Sequence, residues 1–261
     1  MFNLFQLISI STLITTTNAF FRNIGKTIIS KTNQDVYREW WADPRIHTLG
    51  NFGPMGEFHS TIAPYITKHI DDTSYNGENI RLTAAKIIKT YKTDPTAVLD
   101  LGCGTGMSTE ALHSVFPNTA VAGIDTSPSM LKTAINRNLE FINKPYYFKN
   151  KAHDLSLIDN SVDIITCMFT LHETPLHGII KILNEMDRVN SYNGIIAIVD
   201  IAPEYKPSFW MEIGEPYIRP YLANIDFFIE IFANNTNRTL SRQVLVEGHV
   251  ILWLLIDDRN L

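Results

Sequence analysis

The 261-residue sequence predicts an α/β fold in which a doubly wound sheet of seven strands carries an N-terminal helical cap. Two patterns support this prediction. Between residues 97 and 201, short apolar runs alternate with amphipathic stretches of roughly ten to fifteen residues, as parallel strands do with their crossover helices. Near the C-terminus, two further strand-like runs flank Glu247-Gly248, a pattern that indicates an antiparallel hairpin.

Residues 1–30 have the composition of a targeting segment. An acid-free apolar stretch, too short to span a bilayer, leads to Thr17 and Ala19, the small residues of a signal-peptidase site. The basic, hydroxyl-rich segment that follows begins with Phe20 and extends to Asp35, and this order resembles the bipartite plastid presequence of algae with secondary plastids. We therefore expect import into a plastid or secretion, or a cytoplasmic protein if the segment is not cleaved. A frayed helix is the structural alternative.

Residues 31–95 predict a cap of interrupted helices, because apolar residues recur three and four positions apart from Asp35 to Tyr91. The cap is rich in aromatic and histidine side chains, and a glycine-rich joint interrupts it at Leu49–His59. Core packing against the sheet and a lid over a flat acceptor are both compatible with this composition. The side chains concerned are Tyr37, Trp40, Trp41, His47, Asn51, His59 and Tyr65.

Residues 96–261 predict the sheet domain. Its five alternating strands are expected at Ala97–Leu101, Ala120–Asp125, Tyr146–Lys149, Val162–Phe169 and Ile195–Ile201. Helices are expected between them at Thr105–Phe116, Ser127–Leu139 and Ile179–Val189. A proline-punctuated helical insertion follows at about residues 203–234. The terminal hairpin, at about residues 238–256, pairs Arg238–Val246 with His249–Ile256.

Composition excludes several classes of function. The net charge is -5 with an isoelectric point near 5.9, and the basic residues are dispersed, so a nucleic-acid partner is not expected. The two cysteines, Cys103 and Cys167, lie in apolar strand-like segments without the spacing of metal ligands. They predict neither a disulfide framework nor a metal site. No segment of the mature chain is expected to span a membrane stably.

The segment VLDLGCGTGMS, Val98–Ser108, carries the first chemical motif. Asp100 lies near the end of its strand, where a carboxylate can receive a cationic amino group. At the following strand-to-helix turn, glycines let the backbone approach a ligand without a Cβ clash. These glycines are Gly102, Gly104 and Gly106. The dinucleotide fingerprint would need a glycine at Met107, so a nicotinamide-dependent enzyme is disfavoured.

Two more aspartates follow successive strands. Asp125 ends the second strand, about twenty residues beyond the glycines, where a carboxylate accepts hydrogen bonds from both ribose hydroxyls of a nucleotide. Asp154 follows the third strand in the segment KAHDLS. Because the carboxyl ends of parallel strands share one edge, we expect these two side chains and Asp100 at the ligand-binding edge of the sheet.

Together these motifs resemble the class I methyltransferases that use S-adenosylmethionine, with a type 11-like methyltransferase domain on a Rossmann-like sheet. The resemblance extends from about Thr96 to Asp200 and includes the terminal hairpin. The segments LHETP, NEMDRV and GIIAIVDIAP resemble a small-molecule branch from cyanobacteria, algae and plants. The family implies S-adenosylmethionine as cofactor, with the adenine amino group at Asp154. The residues expected to bind the cofactor are Asp100, Gly102, Cys103, Gly104, Gly106, Asp125, Thr126, Met130, His153, Asp154, Leu155 and Thr170.

The run MFTLHETP, Met168–Pro175, ends the fourth strand, which the resemblance places beside the reactive methyl group. His172 and Glu173 are therefore candidate catalytic residues, because a histidine suits a general base and a carboxylate can orient it. The alternatives are that both line the pocket without proton transfer, or that they have only a structural role in which Glu173 begins the next helix. Glu215, in the segment MEIGEPYIRPYL, is the third candidate, or only a favourable partner of a helix dipole.

The expected function is methyl transfer from S-adenosylmethionine to a small-molecule acceptor, at oxygen or carbon. The Asn/Asp-Pro-Pro-Tyr/Phe signature of amino-group methylation is absent, because the corresponding segment reads TLHE, residues 170–173. A cofactor-binding protein without catalysis and a protein methyltransferase are the alternatives. The sequence leaves the identity of the acceptor and the oligomeric state open.

Overall fold

The computed structural model describes residues 39–139 and 144–257. The expected targeting segment and Tyr37 lie outside these residues. Within them, the N-terminal part has short 3₁₀ turns at Trp40–Ala42 and Ile46–Thr48, followed by helices α1 (Gly53–Ser74) and α2 (Ile80–Tyr91). Asn79 caps α2, because its side chain accepts a hydrogen bond of 3.0 Å from the backbone N–H of Leu82.

Seven strands of the described chain form one sheet. They are β1 (Ala97–Leu101), β2 (Ala120–Asp125), β3 (Tyr146–Lys149), β4 (Val162–Met168), β5 (Asn190–Ile201), β6 (Arg238–Val246) and β7 (Val250–Asp257). Their order is β3-β2-β1-β4-β5-β7-β6. The first five run parallel, whereas β7 is antiparallel to both β5 and β6. The predicted seven-stranded sheet with its C-terminal hairpin is confirmed.

Helices cover both faces of the sheet. They are α3 (Met107–Val115), α4 (Pro128–Arg137), α5 (Leu176–Val189), α6 (Phe209–Gly214) and α7 (Ile218–Thr236). On one face, α2 and α3 bury residues such as Ile88 and Leu112 against the strands. On the other, α5 and α7 bury Ile179 and Ile225. None of the described helices combines the length and the apolar character that a membrane span requires.

Two elements differ from the sequence prediction by more than small shifts of one to three residues at their bounds. The helical insertion holds two helices, because Glu215 precedes Pro216 and a residue before proline is sterically disfavoured in a helix. Glu215 accordingly has an extended φ of -126° and ψ of 82°. Strand β5 begins at Asn190, five residues before the predicted Ile195 and directly after α5. The start of β5 was not predicted, because its residues are polar and do not form an apolar run. The Asn190 amide is nevertheless buried, and it donates to the carbonyl of Val162 at 3.0 Å.

Asp163 fixes the amino-terminal edge of the sheet, opposite to the edge where ligands bind. Its carboxylate accepts hydrogen bonds from the backbone N–H and the hydroxyl of Thr96, at 2.7 and 2.6 Å, and from the hydroxyl of Ser191 at 3.1 Å. Burial raises the pKa of Asp163, but these donors outweigh burial and lower the pKa to about 2. The ionised side chain therefore joins the starts of β1, β4 and β5.

We predict that Asp163→Asn lowers the free energy of unfolding at pH 7 by about 1–3 kcal/mol, because the donors lose a charged acceptor. An ordinary aspartate in the unfolded chain titrates near pH 4, so the wild-type advantage is complete above that pH. The advantage is lost as pH falls through the folded pKa of about 2. Urea unfolding at several pH values, with the exposed Asp72→Asn as control, checks this. A difference that stays constant from pH 7 to pH 2 would contradict it.

Candidate functional site

A cavity of about 650 Å³ opens at the carboxyl edge of the sheet. Its floor consists of the turns that follow β1, β2 and β4. Its cover consists of α1, the 3₁₀ turn at Ile46–Thr48 and the segment around α6. Ligands of open α/β sheets bind at this edge, where the strand order reverses, and here β1 lies between β2 and β4. The cavity is therefore the candidate site.

The glycine turn after β1 is tied to the next strand. The backbone N–H of Cys103 donates to the carbonyl of Ile124 at 2.9 Å. Gly102 and Gly104 have φ values of 66° and 51°, in the left-handed region that favours glycine. Their surroundings differ: a Cβ on Gly102 would meet the Thr170 hydroxyl at 2.5 Å, whereas a Cβ on Gly104 would have no heavy atom of the described chain within 4 Å. The turn thus packs against Thr170 on one side and faces open space on the other.

Asp125 closes this turn. Its two carboxylate oxygens accept hydrogen bonds from the backbone N–H groups of Gly104, at 2.9 Å, and Ser127, at 2.8 Å. Burial raises the pKa of Asp125 to about 6, although these backbone donors act against burial. Ser127 also caps α4 by accepting from Met130 at 3.3 Å. The carboxylate lines the cavity and retains acceptor capacity towards it.

Asp100 is arranged differently from Asp125. Its side chain is completely buried and accepts hydrogen bonds from the hydroxyls of Ser108, Thr109 and Thr166, at 2.5, 2.7 and 2.8 Å. It joins the start of α3 to β1 and β4 and does not line the cavity. In this structure the Asp100 carboxylate accepts hydrogen bonds from three hydroxyl groups. Its binding of the cationic amino group of a ligand therefore remains a prediction.

Eight of the twelve residues predicted to bind the cofactor line the cavity, namely Gly102, Cys103, Gly104, Asp125, Thr126, Met130, His153 and Thr170. The other four do not, and Asp100 is one of them. Gly106 is packed where a Cβ would meet the Tyr147 hydroxyl at 2.6 Å. Asp154 is exposed, and the backbone N–H of Leu155 donates to Glu185 at 2.6 Å. An adenine contact at Asp154 thus remains a prediction.

His172 lies in the 3₁₀ turn Leu171–Glu173 after β4 and is held by Asp200 at the end of β5. Its Nδ1 is 2.6 Å from the Asp200 carboxylate, which also accepts from the backbone N–H of Leu171 at 2.8 Å. Burial lowers the pKa of His172, but the charge of Asp200 and this hydrogen bond outweigh burial and raise the pKa to about 9. At neutral pH the ring is therefore mostly protonated.

His47, Glu173 and Glu215 meet at one wall of the cavity. The Nε2 of His47 is 2.8 Å from Glu173 Oε1, and its Nδ1 is 2.8 Å from Glu215 Oε1. Burial lowers the pKa of His47, but the two carboxylates outweigh burial and hold the pKa well above its usual value. The His47 backbone has a φ of 55°, which is uncommon for a residue other than glycine. The three candidate catalytic residues predicted from the sequence, His172, Glu173 and Glu215, therefore line the same cavity.

The aromatic and polar side chains of the cap differ in what they contact. Trp40 is buried against α5, where a Cβ on Gly178 would meet its indole at 2.9 Å. Both Trp40 and Trp41 line the cavity, and the Lys151 ammonium is 4.9 Å from the ring centroid of Trp41. The carbonyl of Asn51 accepts a hydrogen bond of 2.7 Å from the Ser127 hydroxyl, which ties the cap to α4. The remaining members differ in exposure: His59 is buried, whereas Tyr65 is exposed.

Asp200 was not identified from the sequence, although one signal was present. It comes near the carboxyl end of β5, as Asp125 does on β2. The sequence did not show that it faces His172, because this depends on the pairing of two strands separated by a helix. The joining of His47 to Glu173 and Glu215 was likewise not predicted.

Comparisons with known proteins show that this chain is similar to methyltransferases. Residues 98–194 match the family model described as a methyltransferase domain. Demethylmenaquinone methyltransferase of Thermotoga maritima is 28% identical over 129 residues, which are 49% of this chain and 54% of that protein. Trans-aconitate 2-methyltransferase of Methylobacterium nodulans is 43% identical over 60 residues, 23% of each chain. The chain therefore spans about half or less of the curated relatives that it matches.

A solved structure shows the same fold. The crystal structure of an S-adenosylmethionine-dependent methyltransferase from Aquifex aeolicus superposes with a TM-score of 0.56 at 22% identity, covering 74% of this chain and 97% of that chain. At this identity the likeness concerns the fold alone.

Two of the three turn glycines, Gly102 and Gly104, should differ in how much stability is lost when alanine replaces them. Gly104→Ala should cost about 1–2 kcal/mol, the usual cost of a left-handed conformation for a residue with a Cβ. Gly102→Ala should cost about 1–3 kcal/mol more, because its Cβ also clashes with Thr170. Urea unfolding of the two variants measures the difference.

The double variant Gly102→Ala/Thr170→Ala is the control for the clash. It removes the two Thr170 atoms closest to the new Cβ and should recover part of the additional loss. Equal losses for the two single variants, or no recovery in the double variant, would contradict the steric explanation.

Proposed function

We propose that this chain, in which residues 98–194 are a class I methyltransferase domain, is an S-adenosylmethionine-dependent methyltransferase acting on a small-molecule acceptor at oxygen or carbon. One observation carries the proposal. The glycine turn closed by Asp125 lines the same cavity as His172 and Glu173. A cofactor and an acceptor can therefore share one enclosed space, which methyl transfer between two molecules requires.

The cavity residues fit the cofactor in shape and in chemistry. The space beside Gly104 lets a ligand contact the backbone of the turn directly. The Asp125 carboxylate has the position and the free acceptor capacity to bind ribose hydroxyls. Thr126 and Met130 extend the same wall. When bound, S-adenosylmethionine supplies a strongly electrophilic sulfonium methyl group.

His172 is the residue best suited to position the acceptor. Asp200 fixes the orientation of its ring through Nδ1, while its Nε2 is 3.6 Å from Glu173 Oε1 at the cavity wall. Transfer of a methyl group is an in-line displacement, so the protein must align the acceptor and exclude water. A ring held from one side presents its second nitrogen in one direction only. We assign His172 to binding the acceptor atom, and kinetics can separate this role from proton removal.

The cover of the cavity favours a small acceptor. A volume of about 650 Å³ lies within the range of roughly 300–1,000 Å³ that is usual for small-ligand pockets. Ile66 and Ile70 of α1 and Met211 of α6 give the cover an apolar lining. Two of the curated relatives are named for demethylmenaquinone and trans-aconitate, which supports the small-molecule class. A folded protein substrate is disfavoured, because this cover would have to move away to admit it.

Asp125→Ala should weaken S-adenosylhomocysteine binding about 10- to 100-fold, because hydrogen bonds to a charged acceptor are lost. Wild-type affinity should also depend on pH. The ribose hydroxyls need the ionised carboxylate, and the pKa of Asp125 in the free protein is about 6. Affinity should therefore be constant above about pH 7 and fall below pH 6 by up to about tenfold per pH unit. Isothermal titration calorimetry measures both effects.

Two variants control this experiment. Asp125→Asn has no carboxylate at this position, so its affinity should lack the wild-type decrease between pH 6 and pH 5. Asp159→Ala removes an exposed aspartate that does not line the cavity and should bind like the wild type. Unchanged binding by Asp125→Ala would remove the cofactor assignment.

His172→Gln should lower kcat about 100-fold, because the acceptor loses its alignment, while the Kd of S-adenosylhomocysteine changes less than about threefold. A screen of small molecules for methyl transfer from labelled S-adenosylmethionine would first supply the acceptor. His177→Gln is the matched control, since His177 packs against Trp40 at 5.2 Å between ring centroids and does not line the cavity.

The other outcomes of this experiment discriminate between roles. Parallel losses of kcat and cofactor affinity would make His172 a wall of the cofactor pocket. A loss of kcat that added small bases restore in His172→Ala would instead indicate proton removal. Intact cofactor binding without transfer to any acceptor would support a binding protein without catalysis.

A further inference from the structure

We propose that His47, Glu173 and Glu215 form a binding site for one divalent first-row metal ion, of the Zn²⁺ or Mn²⁺ class. The three side chains come from distant parts of the chain. His47 belongs to the cap, Glu173 to the turn after β4, and Glu215 to the break between α6 and α7. Neither the sequence nor the family match points to a metal ion here.

The ligand atoms are already gathered close to the separation that one ion requires. One nitrogen of His47 and one oxygen of each glutamate lie within 4.8 Å of one another. Two ligands of a common Zn²⁺ ion, each about 2.0–2.2 Å from the metal, are themselves about 3–4 Å apart. Small side-chain rotations are therefore enough to bring the three atoms into coordination.

An unpartnered oxygen is the second and independent observation. Glu215 is 7% exposed, and its Oε1 is paired with His47, but its Oε2 is buried without a hydrogen-bond partner among the described residues. A buried carboxylate oxygen without a partner is costly, and such groups are rare in folded proteins. A cation at this wall of the cavity would satisfy the oxygen.

The formal charges also favour a cation. Glu173 and Glu215 contribute two negative charges, and His47 lies between them with at most one positive charge. His172 also lies 3.6 Å from Glu173, but the carboxylate of Asp200, at 2.6 Å, already balances its charge. A divalent ion neutralises both carboxylates and accepts a neutral imidazole as its third ligand. Carboxylates and imidazole suit Zn²⁺ and Mn²⁺, whereas Mg²⁺ prefers oxygen ligands alone.

Three protein ligands leave coordination positions free, and the residues that supply them line the cavity. An oxygen-rich acceptor, such as a carboxylate or an enolate, is the ligand class that would complete the shell. This last step rests on the proposed function, whereas binding of the ion itself does not.

The experiment titrates the metal-free full-length protein with Zn²⁺ and with Mn²⁺ by isothermal titration calorimetry, in the absence of cofactor and acceptor. One site per chain is expected, and Mg²⁺ should bind at least ~10-fold more weakly. Glu215→Gln, which retains the shape of the side chain, and Glu173→Gln should each weaken Zn²⁺ binding at least ~10-fold. Thermal unfolding should show stabilisation by Zn²⁺ in the wild type and little or none in these two variants.

Two control variants separate this site from the surface. Glu212→Gln replaces a glutamate of α6 that pairs with Arg219, and His69→Ala removes an exposed histidine of α1. Both should retain the wild-type affinity. Binding that Glu215→Gln and Glu173→Gln leave unchanged, or no binding near one ion per chain, would overturn the proposal. Since S-adenosylhomocysteine binding is measured separately, failure of the metal site would leave the methyltransferase proposal standing, and the reverse also holds.

Discussion

The parallel register of β1 with its two neighbours is the constraint on which the site depends. Leu101, the last residue of β1, pairs with Ile124 of β2 and with Cys167 of β4. The three strands therefore end almost level, and the segments that follow them leave the sheet at one place. A shift by one residue would move a turn by about 3.3 Å and turn every side chain of the strand to the other face. The buried apolar residues on both faces prevent that shift.

Three aspartates at this edge have three different roles, and the hydrogen-bond donors around each one determine its role. Asp100 accepts from three hydroxyl groups, so most of its acceptor capacity is used within the fold. Asp200 accepts from a histidine ring and from the backbone of the adjacent turn, so it orients a side chain. Asp125 accepts from backbone N–H groups on one side and faces the cavity on the other. An ionised carboxylate can accept about four hydrogen bonds, which leaves Asp125 able to bind a ligand.

Sequence patterns predicted the sheet because alternation of apolar runs and amphipathic helices is a local signal. They also predicted the order of the glycine turn and Asp125, since both follow strands directly. The prediction was less complete where function depends on contacts across the fold. The pairing of His172 with Asp200 requires β4 to lie beside β5, and the meeting of His47 with Glu215 joins the cap to a segment over 150 residues away. Neither contact leaves a periodic pattern in the sequence.

The cap and the sheet are coupled through the cavity wall that His47, Glu173 and Glu215 form. His47 belongs to the cap, whereas Glu173 belongs to a turn of the sheet domain, so their contact exists only while the cap is docked. Further hydrogen bonds hold the cap in place, among them those from the Ser127 hydroxyl to the Asn51 carbonyl and from the Tyr217 hydroxyl to Asp43. Any ligand that contacts both sides of the cavity binds the docked form preferentially and stabilises it in proportion to that preference. Linkage is reciprocal, so a ligand that favours docking also strengthens the binding of a second ligand to the same docked form. The assembly of one wall from two parts of the chain therefore provides a physical route by which cofactor and acceptor can favour each other's binding.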